Sequence, residues 1–534
     1  MRYLLIPGRH LVNTKFQAAY IKRLLLADGG TMAAIWGKHD GQPVSEIVFA
    51  VTSANQDNSR HNPIPFHIRT IGVDRFAMEI RREFPSLRHH IFGIPHYNQV
   101  AGFASMTIKE ISAQSDGDVS LTPENCLVMC STPEVNGLYY ALGFPIALAE
   151  AREYPMPPIP AQIISAIGKG DDRWIHQPHM GLAESHRNLF EEFPSVPRKI
   201  RRLFQDPLTT ETGDLTPTRN YSIYARGMNE IIRRKYEDIR PAIKAGRIAD
   251  EGCSDGALLR EISKDFQDSD LLGVDISSEF GARFNERLRS GEYGSAYVHF
   301  YARNLLDRIF EPDSIDTTIC NSTLHEIWSY GGGESAVRSY LQNKFAQLRP
   351  GGRLVIRDVV GPENGDRPVL LFCEGGDGVL PSPEELVSHP RTPSWLAGLS
   401  THGRFLVFIQ DCRKDMLPAD GLVPSCQVDG KTGFQVTYRL ATEFLSKKDY
   451  FDNWVSEMKE TFAFWSLPQW KQALRDAGFE ILTGTQTEPL SRVSTNEWII
   501  KNRYEGKARI TDALTQEAIP FPPTNMLLAA AKPS

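Results

Sequence analysis

Residues 247–266 read RIADEGCSDGALLREISKDF, and LLGVDIS follows at 271–277; these two stretches decide the fold. A short apolar run enters an acidic, glycine-bearing loop, a helix-spaced run follows, and a second apolar run ends on Asp275. Strand, loop, helix and strand in that order make a parallel α/β unit. In an open sheet of such units the loops after the strands gather at one edge, where a ligand binds. Gly252 and Gly256 permit turns and a close backbone approach that a Cβ would obstruct. Around them Asp250, Glu251 and Asp255 can accept hydrogen bonds from an aminoacyl group, and Cys253 lies inside the same loop. Asp275, with Ile276 beside it, is placed to accept from both hydroxyls of a ribose.

Further strands are expected at IDTTICNS (315–322) and GGRLVIRDVV (351–360), and the cadence resumes with WSLPQWKQALRDAGFEIL at 465–482. Between them, residues 361–450 are rich in Pro and Gly and read as a cap or substrate-facing insertion. Towards the N-terminus, DPLTTETGDLTPTRN (206–220) is polar and turn-rich, which puts a domain boundary there. Before it, the apolar run Tyr3 to Ile6, the helix-like FQAAYIKRLLLA and the strand-like EIVFAVTS (46–53) form another parallel α/β unit. The expected architecture is α/β with two open parallel-sheet domains. They span 1–200 and 226–500, joined by a linker at 201–225, with the insertion at 361–450 and a C-terminal extension at 501–534.

On the segments IADEGCSDG, LLGVDIS, TTICNSTLHEI and LRPGGRLVIRDV, the second domain resembles the class I methyltransferases that use S-adenosylmethionine (SAM). That resemblance implies a Rossmann-like domain with SAM as cofactor. It assigns the methionine portion to the loop of Glu251, Gly252, Asp255 and Gly256, and the ribose to Asp275. It also makes Asn304 a candidate for the adenine amino group, with capping of its own loop as the alternative, and Asn321 a neighbour of the transferred methyl. A dinucleotide dehydrogenase shares the second-strand carboxylate, but the loop lacks the full G-x-G-x-x-G spacing.

Methyl transfer is a displacement at a sulfonium-bound carbon, so positioning supplies much of the catalysis. Depending on the acceptor's pKa a base is also needed. His325, in NSTLHEIWSY, is the candidate base, with Glu326 or another acid to orient it; packing or acceptor positioning is the alternative. Trp454, Phe462, Phe464 and Trp465, near Glu457 and Glu460, read as an acceptor pocket or as core.

The first domain carries a second resemblance. GRHLVNTKFQ and TSANQDNSRHNPIPFHIR are similar to the nucleotidyltransferase superfamily, nicotinamide-nucleotide adenylyltransferases in particular, over residues 1–200. The family's H/T-x-G-H motif falls on Thr14-Lys15-Phe16-Gln17, so Phe16 replaces its glycine and Gln17 its second histidine. Gln17 can bond a phosphate but cannot become an imidazolium, and Phe16 adds bulk where phosphate would approach. The resemblance implies a second nucleotide site of Gly8, Arg9, Thr14, Lys15, Gln17, Asn62, Phe66 and Arg69. Its ligand would be ATP or another nucleotide, with Mg²⁺ if transfer survives.

Composition bounds the partners. A net charge of -6 gives no overall cationic footprint for nucleic acid. The basic runs RKIRRLF (198–204) and RRKYEDIRPAIKAGR (233–247) keep an RNA methyltransferase as an alternative; a non-enzymatic SAM-responsive binding protein is another. The favoured acceptor is a small molecule or a nucleotide-linked intermediate. Seven Cys, of which only Cys126 and Cys130 are close together, suggest no metal or disulfide framework. No apolar stretch reaches the roughly 18 residues of a membrane span, and MRYLLIPGR reads as a strand, not a leader. A soluble cytoplasmic protein without a membrane partner is expected; the oligomeric state stays open.

Overall fold

The computed structural model describes residues 2–27, 43–56, 59–96, 100–130, 132–148, 157–205, 231–418, 421–485, 489–494 and 496–534. The chain divides into two compact units, Met1–Gly213 and Asp214–Ser534. The turn-rich 206–220 segment lies outside the described residues. Among those described, no helix is long and apolar enough to cross a membrane.

Unit one holds strands β1 (Tyr3–Gly8), β2 (Glu46–Thr52), β3 (Arg88–Ile94), β4 (Cys126–Met129) and β5 (Ile146–Ala147) in a parallel sheet ordered β3-β2-β1-β4-β5. Its faces follow the two-residue period of a strand. Leu4 and Ile6 pack on one side with Ile21, Leu24 and Val73; Tyr3 and Leu5 pack on the other with Ile111 and Tyr139. Strand order reverses between β1 and β4, which creates a crevice beyond their carboxyl ends. The helix Lys15–Leu26 begins at that edge, and its inward Ala18, Ile21 and Leu24 recur at helical spacing.

Unit two is built on β6 (Arg247–Glu251), β7 (Asp270–Asp275), β8 (Tyr297–Ala302), β9 (Ile315–Asn321) and β10 (Leu348–Asp358). After β10 the chain forms β11 (Pro368–Cys373), β12 (Ser425–Val428) and β13 (Lys431–Thr437), then β14 (Glu480–Leu482), β15 (Ser491–Ser494), β16 (Ala508–Asp512) and β17 (Asn525–Ala531). The main sheet runs β14-β17-β10-β9-β6-β7-β8, with β15 also paired to β17. β6 to β10 are parallel, whereas β17 lies antiparallel to β10. Order reverses between β6 and β9, so the loops after these strands share one crevice.

Two expected boundaries change. Residues 501–534 are not an extension: Met526 to Ala530, a short run with no period of its own, is buried in the main sheet between β10 and the edge strand β14. The insertion also does not end at 450. Its antiparallel sheet, β12-β13-β11-β16, takes its last strand from 508–512 and encloses a core of Phe405, Phe408, Leu440, Phe444 and Trp454. Long-range antiparallel pairing leaves no local signal at the point where the chain changes sheet.

Candidate cofactor and acceptor site

The loop Gly252–Gly256 is folded back against β7. The backbone N–H groups of Gly252 and Cys253 donate to Val274 O at 2.8 and 3.1 Å. Gly252 has φ +78, and a Cβ there would overlap the side chain of Thr323, which follows β9. Gly256 has φ +79, and its Cβ would meet Tyr293 and Phe284. Both positions therefore require glycine for backbone and for space. Asp275, at the end of β7, accepts the Ser254 N–H through Oδ2 at 2.9 Å and the Ser277 N–H through Oδ1 at 3.0 Å. The Ile276 N–H also bears on the carboxylate, and a lone pair is left for a ligand hydroxyl. The glycine loop and the strand-end carboxylate thus share one surface.

Electrostatics mark the same spot. Burial pushes the Asp275 carboxyl up to about 6 against the pull of its backbone N–H donors. Asp250 is pushed up to about 7, first by burial and then by Asp275 and Glu251. Its Oδ2 has no hydrogen-bond partner among the described residues. Lys235, on the helix Ile232–Ile239, is pulled down to about 7 by burial, and its Nζ donates to Ser322 Oγ at 3.2 Å. A buried carboxylate with an orphaned oxygen fits an ammonium or another donor cation.

Adjacent strand residues part company. Asp250 and Glu251 point to opposite faces of β6, as Ile248 and Ala249 do in packing against different clusters. Glu251 is fully buried and paired with Lys344 at 2.6 Å, so the structure moves it from the expected cofactor contacts to the core. Cys253 is also buried, against the apolar cluster under the loop. Asp255 is held by Arg287 at 2.7 Å and caps the N–H of Ala257 at 3.3 Å. Asn304 accepts the Leu306 N–H at 2.9 Å, the loop-capping alternative. Asn321 closes β9, with Ile276 half-buried after Asp275.

At the carboxyl ends of β9 and β10, His325 Nδ1 donates to Asp358 Oδ1 at 2.7 Å. Asp358 also accepts the N–H groups of Leu324, His325 and Val359. On the other side of the ring, Nε2 lies 3.5 Å from Glu460 Oε2. Burial pulls the imidazole down, but Asp358, Glu460 and Glu326 together carry it up to about 9. The acid bonded to the ring is therefore Asp358, the other-acid alternative to Glu326. Sequence reading missed it because 33 residues separate the pair; the register of parallel neighbours β9 and β10 brings them together. Trp454, Phe462, Phe464 and Trp465 are core: Phe464 stacks on Trp328 at 4.4 Å, and Trp454 donates to Asp411 at 2.8 Å.

In unit one, Thr14 and Gln17 form a reciprocal cap on the helix Lys15–Leu26. Gln17 Oε1 accepts the Thr14 N–H at 3.1 Å and Asn13 Nδ2 at 3.3 Å. The oxygen expected at a phosphate is thereby held in the helix cap. Arg69, fully buried, donates to the carbonyls of Arg9, Thr52 and Ser53, tying the ends of β1 and β2. Phe66 packs against Gly93, and Lys15 is exposed. Gly8 ends β1, Arg9 donates to His61 O at 2.6 Å, and Asn62 is buried with its Oδ1 unpartnered among the described residues.

Residues 249–354 match the family described as "Methyltransferase domain". Among solved structures, the chain is similar to a SAM-dependent methyltransferase from Mesorhizobium loti, with 16% identity over 56% of this chain and 96% of that one, TM-score 0.29. It is also similar to the geranyl diphosphate C-methyltransferase of Streptomyces coelicolor A3(2), with 13% identity over 61% and 86%, TM-score 0.29. A third is the YcgJ protein of Bacillus subtilis, with 11% identity over 57% and 99%, TM-score 0.29. At these TM-scores no conclusion rests on the three structures. No curated protein matches the chain. The C-terminal region resembles the class I SAM-dependent methyltransferases at the level of the superfamily. None of these matches supports the expected nucleotidyltransferase likeness of residues 1–200.

Proposed function

We propose that unit two binds SAM in the β6/β7 crevice and transfers its methyl group to a small-molecule or nucleotide-linked acceptor bound beside His325. The carrying observation is the junction of the glycine loop with Asp275 through the Ser254 N–H at 2.9 Å. SAM would supply a methyl on a positively charged sulfur. Asp275 receives the ribose hydroxyls, Asp250 the ammonium of the methionine portion, and Lys235 its carboxylate. Gly252 and Gly256 let the loop turn tightly against Thr323, Tyr293 and Phe284 beside the cofactor, and Asn321 borders the methyl. Glu326 and His325 face the acceptor, where the ring takes up or holds the acceptor's proton. With the imidazole pushed up to about 9, its neutral, proton-accepting form is populated as the pH approaches that value.

For unit one we favour binding of a nucleotide-linked ligand over nucleotidyl transfer. Arg9 offers a charge at the β1/β4 crevice, and the buried Asn13 and Asn62 oxygens offer acceptors. Gln17 has no imidazolium to set against the developing charge of a triphosphate, so an ATP- and Mg²⁺-dependent step is not part of this reading. Incubation of the full chain with methyl-labelled SAM and a metabolite extract tests the whole. A labelled low-mass product is expected. Label in RNA would redirect the acceptor assignment, and bound SAM without any transfer would favour a binding protein.

A further inference from the structure

We propose that His325, Glu326 and Glu460 form a binding site for a first-row divalent metal cation on the acceptor side of unit two. Their ligand atoms all lie within 4.8 Å of one another. One imidazole nitrogen with two carboxylates is a donor set that first-row divalent ions take. The three residues come from two distant parts of the chain, the helix after β9 and the inserted region. The site is also supported from behind. A metal-binding histidine ordinarily donates its other ring N–H to a carboxylate, which fixes tautomer and orientation. Here Nδ1 donates to Asp358 at 2.7 Å, Asp358 is itself anchored by three backbone N–H groups, and Nε2 is turned towards Glu460. Tyr330 Oη donates to Glu460 Oε1 at 3.3 Å, holding that carboxylate with Oε2 towards the ring.

Charge argues the same way. Asp358, Glu326 and Glu460 surround a single imidazole, and His325, Asp358 and Glu460 are all buried. Concentrated carboxylates in such a place call for a cation. Lys447, an ammonium beside the site, donates to the Glu460 carbonyl and is paired with Glu443 at 2.7 Å, so its charge is already matched. In the metal-free chain the rival occupant is a proton on His325. The inference rests on the acceptor-side reading above and changes one part of it: with Nε2 on the cation the ring no longer takes the acceptor's proton, and the cation, a Lewis acid, holds an oxygen or nitrogen of the acceptor instead.

The test uses the full chain, stripped with chelator and titrated with Co²⁺ by visible absorption and with Mn²⁺ by electron paramagnetic resonance. One saturable cation per chain is expected, bound at least about tenfold more weakly in Glu460→Gln and Glu326→Gln. SAM binding, measured by calorimetry on the stripped protein, should persist in both, with affinity in Glu460→Gln close to the parent's. If SAM binds but neither cation does, the metal site is overturned and the methyltransferase reading stands. A bound cation without SAM binding would do the reverse. Should Glu460→Gln fail to fold, Glu326→Gln decides: its side chain is only partly buried, and an unaltered Co²⁺ affinity in that variant overturns the site.

Discussion

Each unit has a run of parallel strands whose order reverses beside a loop-to-helix turn, yet the two edges differ in what they leave unmet. After β1, Thr14 and Gln17 satisfy one another and the helix start, and Arg69 closes the strand ends with three carbonyl acceptors. After β6, Asp255 accepts the first N–H of the helix Ala257–Asp265, but Asp250 and Asp275 are buried with their carboxyls pushed up. The topology is shared, so topology cannot mark the binding edge. Desolvated carboxylates are what separate the two edges, and each costs stability until something compensates it.

The largest test of that contrast concerns a charge that is already compensated. Lys344→Met leaves Glu251 buried and unpaired, which should cost about 3–5 kcal/mol by denaturant unfolding. Adding Glu251→Leu should recover most of that loss, with SAM affinity close to the parent's. A double variant that folds but no longer binds SAM would return Glu251 to the cofactor site. Next comes Asp275→Ala, which removes the ribose acceptor. A charged hydrogen bond is worth about 1.5–3 kcal/mol, so SAM should bind roughly ten- to a hundredfold more weakly. Asp275→Asn, which can still accept the Ser254 N–H, controls for collapse of the loop. Unchanged affinity in a folded Ala variant would remove the assigned role.

The pH dependence sharpens the comparison further. Free Asp275 and Asp250 hold protons up to about 6 and 7. A bound cation favours their ionised forms, so SAM binding at pH 6 should release protons, and affinity should rise with pH until it levels above 7. Lys235, pulled down to about 7, is mostly charged already at pH 6 and contributes little uptake there. Calorimetry in two buffers of different ionisation heat gives the sign directly. Net proton uptake at pH 6 would break the carboxylate assignment.

How far the sequence carried these conclusions depends on distance along the chain. The β6 loop, its glycines and Asp275 were legible because strand, turn and helix lie within 30 residues and each has its own period. The pairing of Glu251 with Lys344 was not legible, because a motif names residues without saying which face of the strand each takes. Asp358 and Glu460 could not be paired with His325 from pattern alone, since β9–β10 register and the insertion bring them together. β17 was taken for a tail because MLLAAA carries no alternation when both its faces are buried. In unit one the replaced motif residues were visible, but their new employment as a helix cap was not.

That employment gives the smallest effect and the sharpest discrimination. Thr14 is buried and its Oγ1 accepts the Gln17 N–H at 3.1 Å. Thr14→Ala should therefore cost about 1 kcal/mol, the usual loss for a helix cap, and lower the melting temperature of unit one by a few degrees. Gln17→Ala removes the reciprocal half of the box and should cost about as much or less. If these residues serve only the fold, neither change alters nucleotide binding to the full chain beyond what the stability loss explains. If they touch phosphate, Gln17→Ala weakens binding severalfold at a temperature where both variants are fully folded. Gln17→His then provides the decisive variant: an imidazole in place of the amide gives up the cap oxygen and offers phosphate a cation. Tighter binding of ATP by a less stable protein would mean that this edge exchanged ligand contact for helix capping, while the β6 edge kept its charges exposed to a ligand.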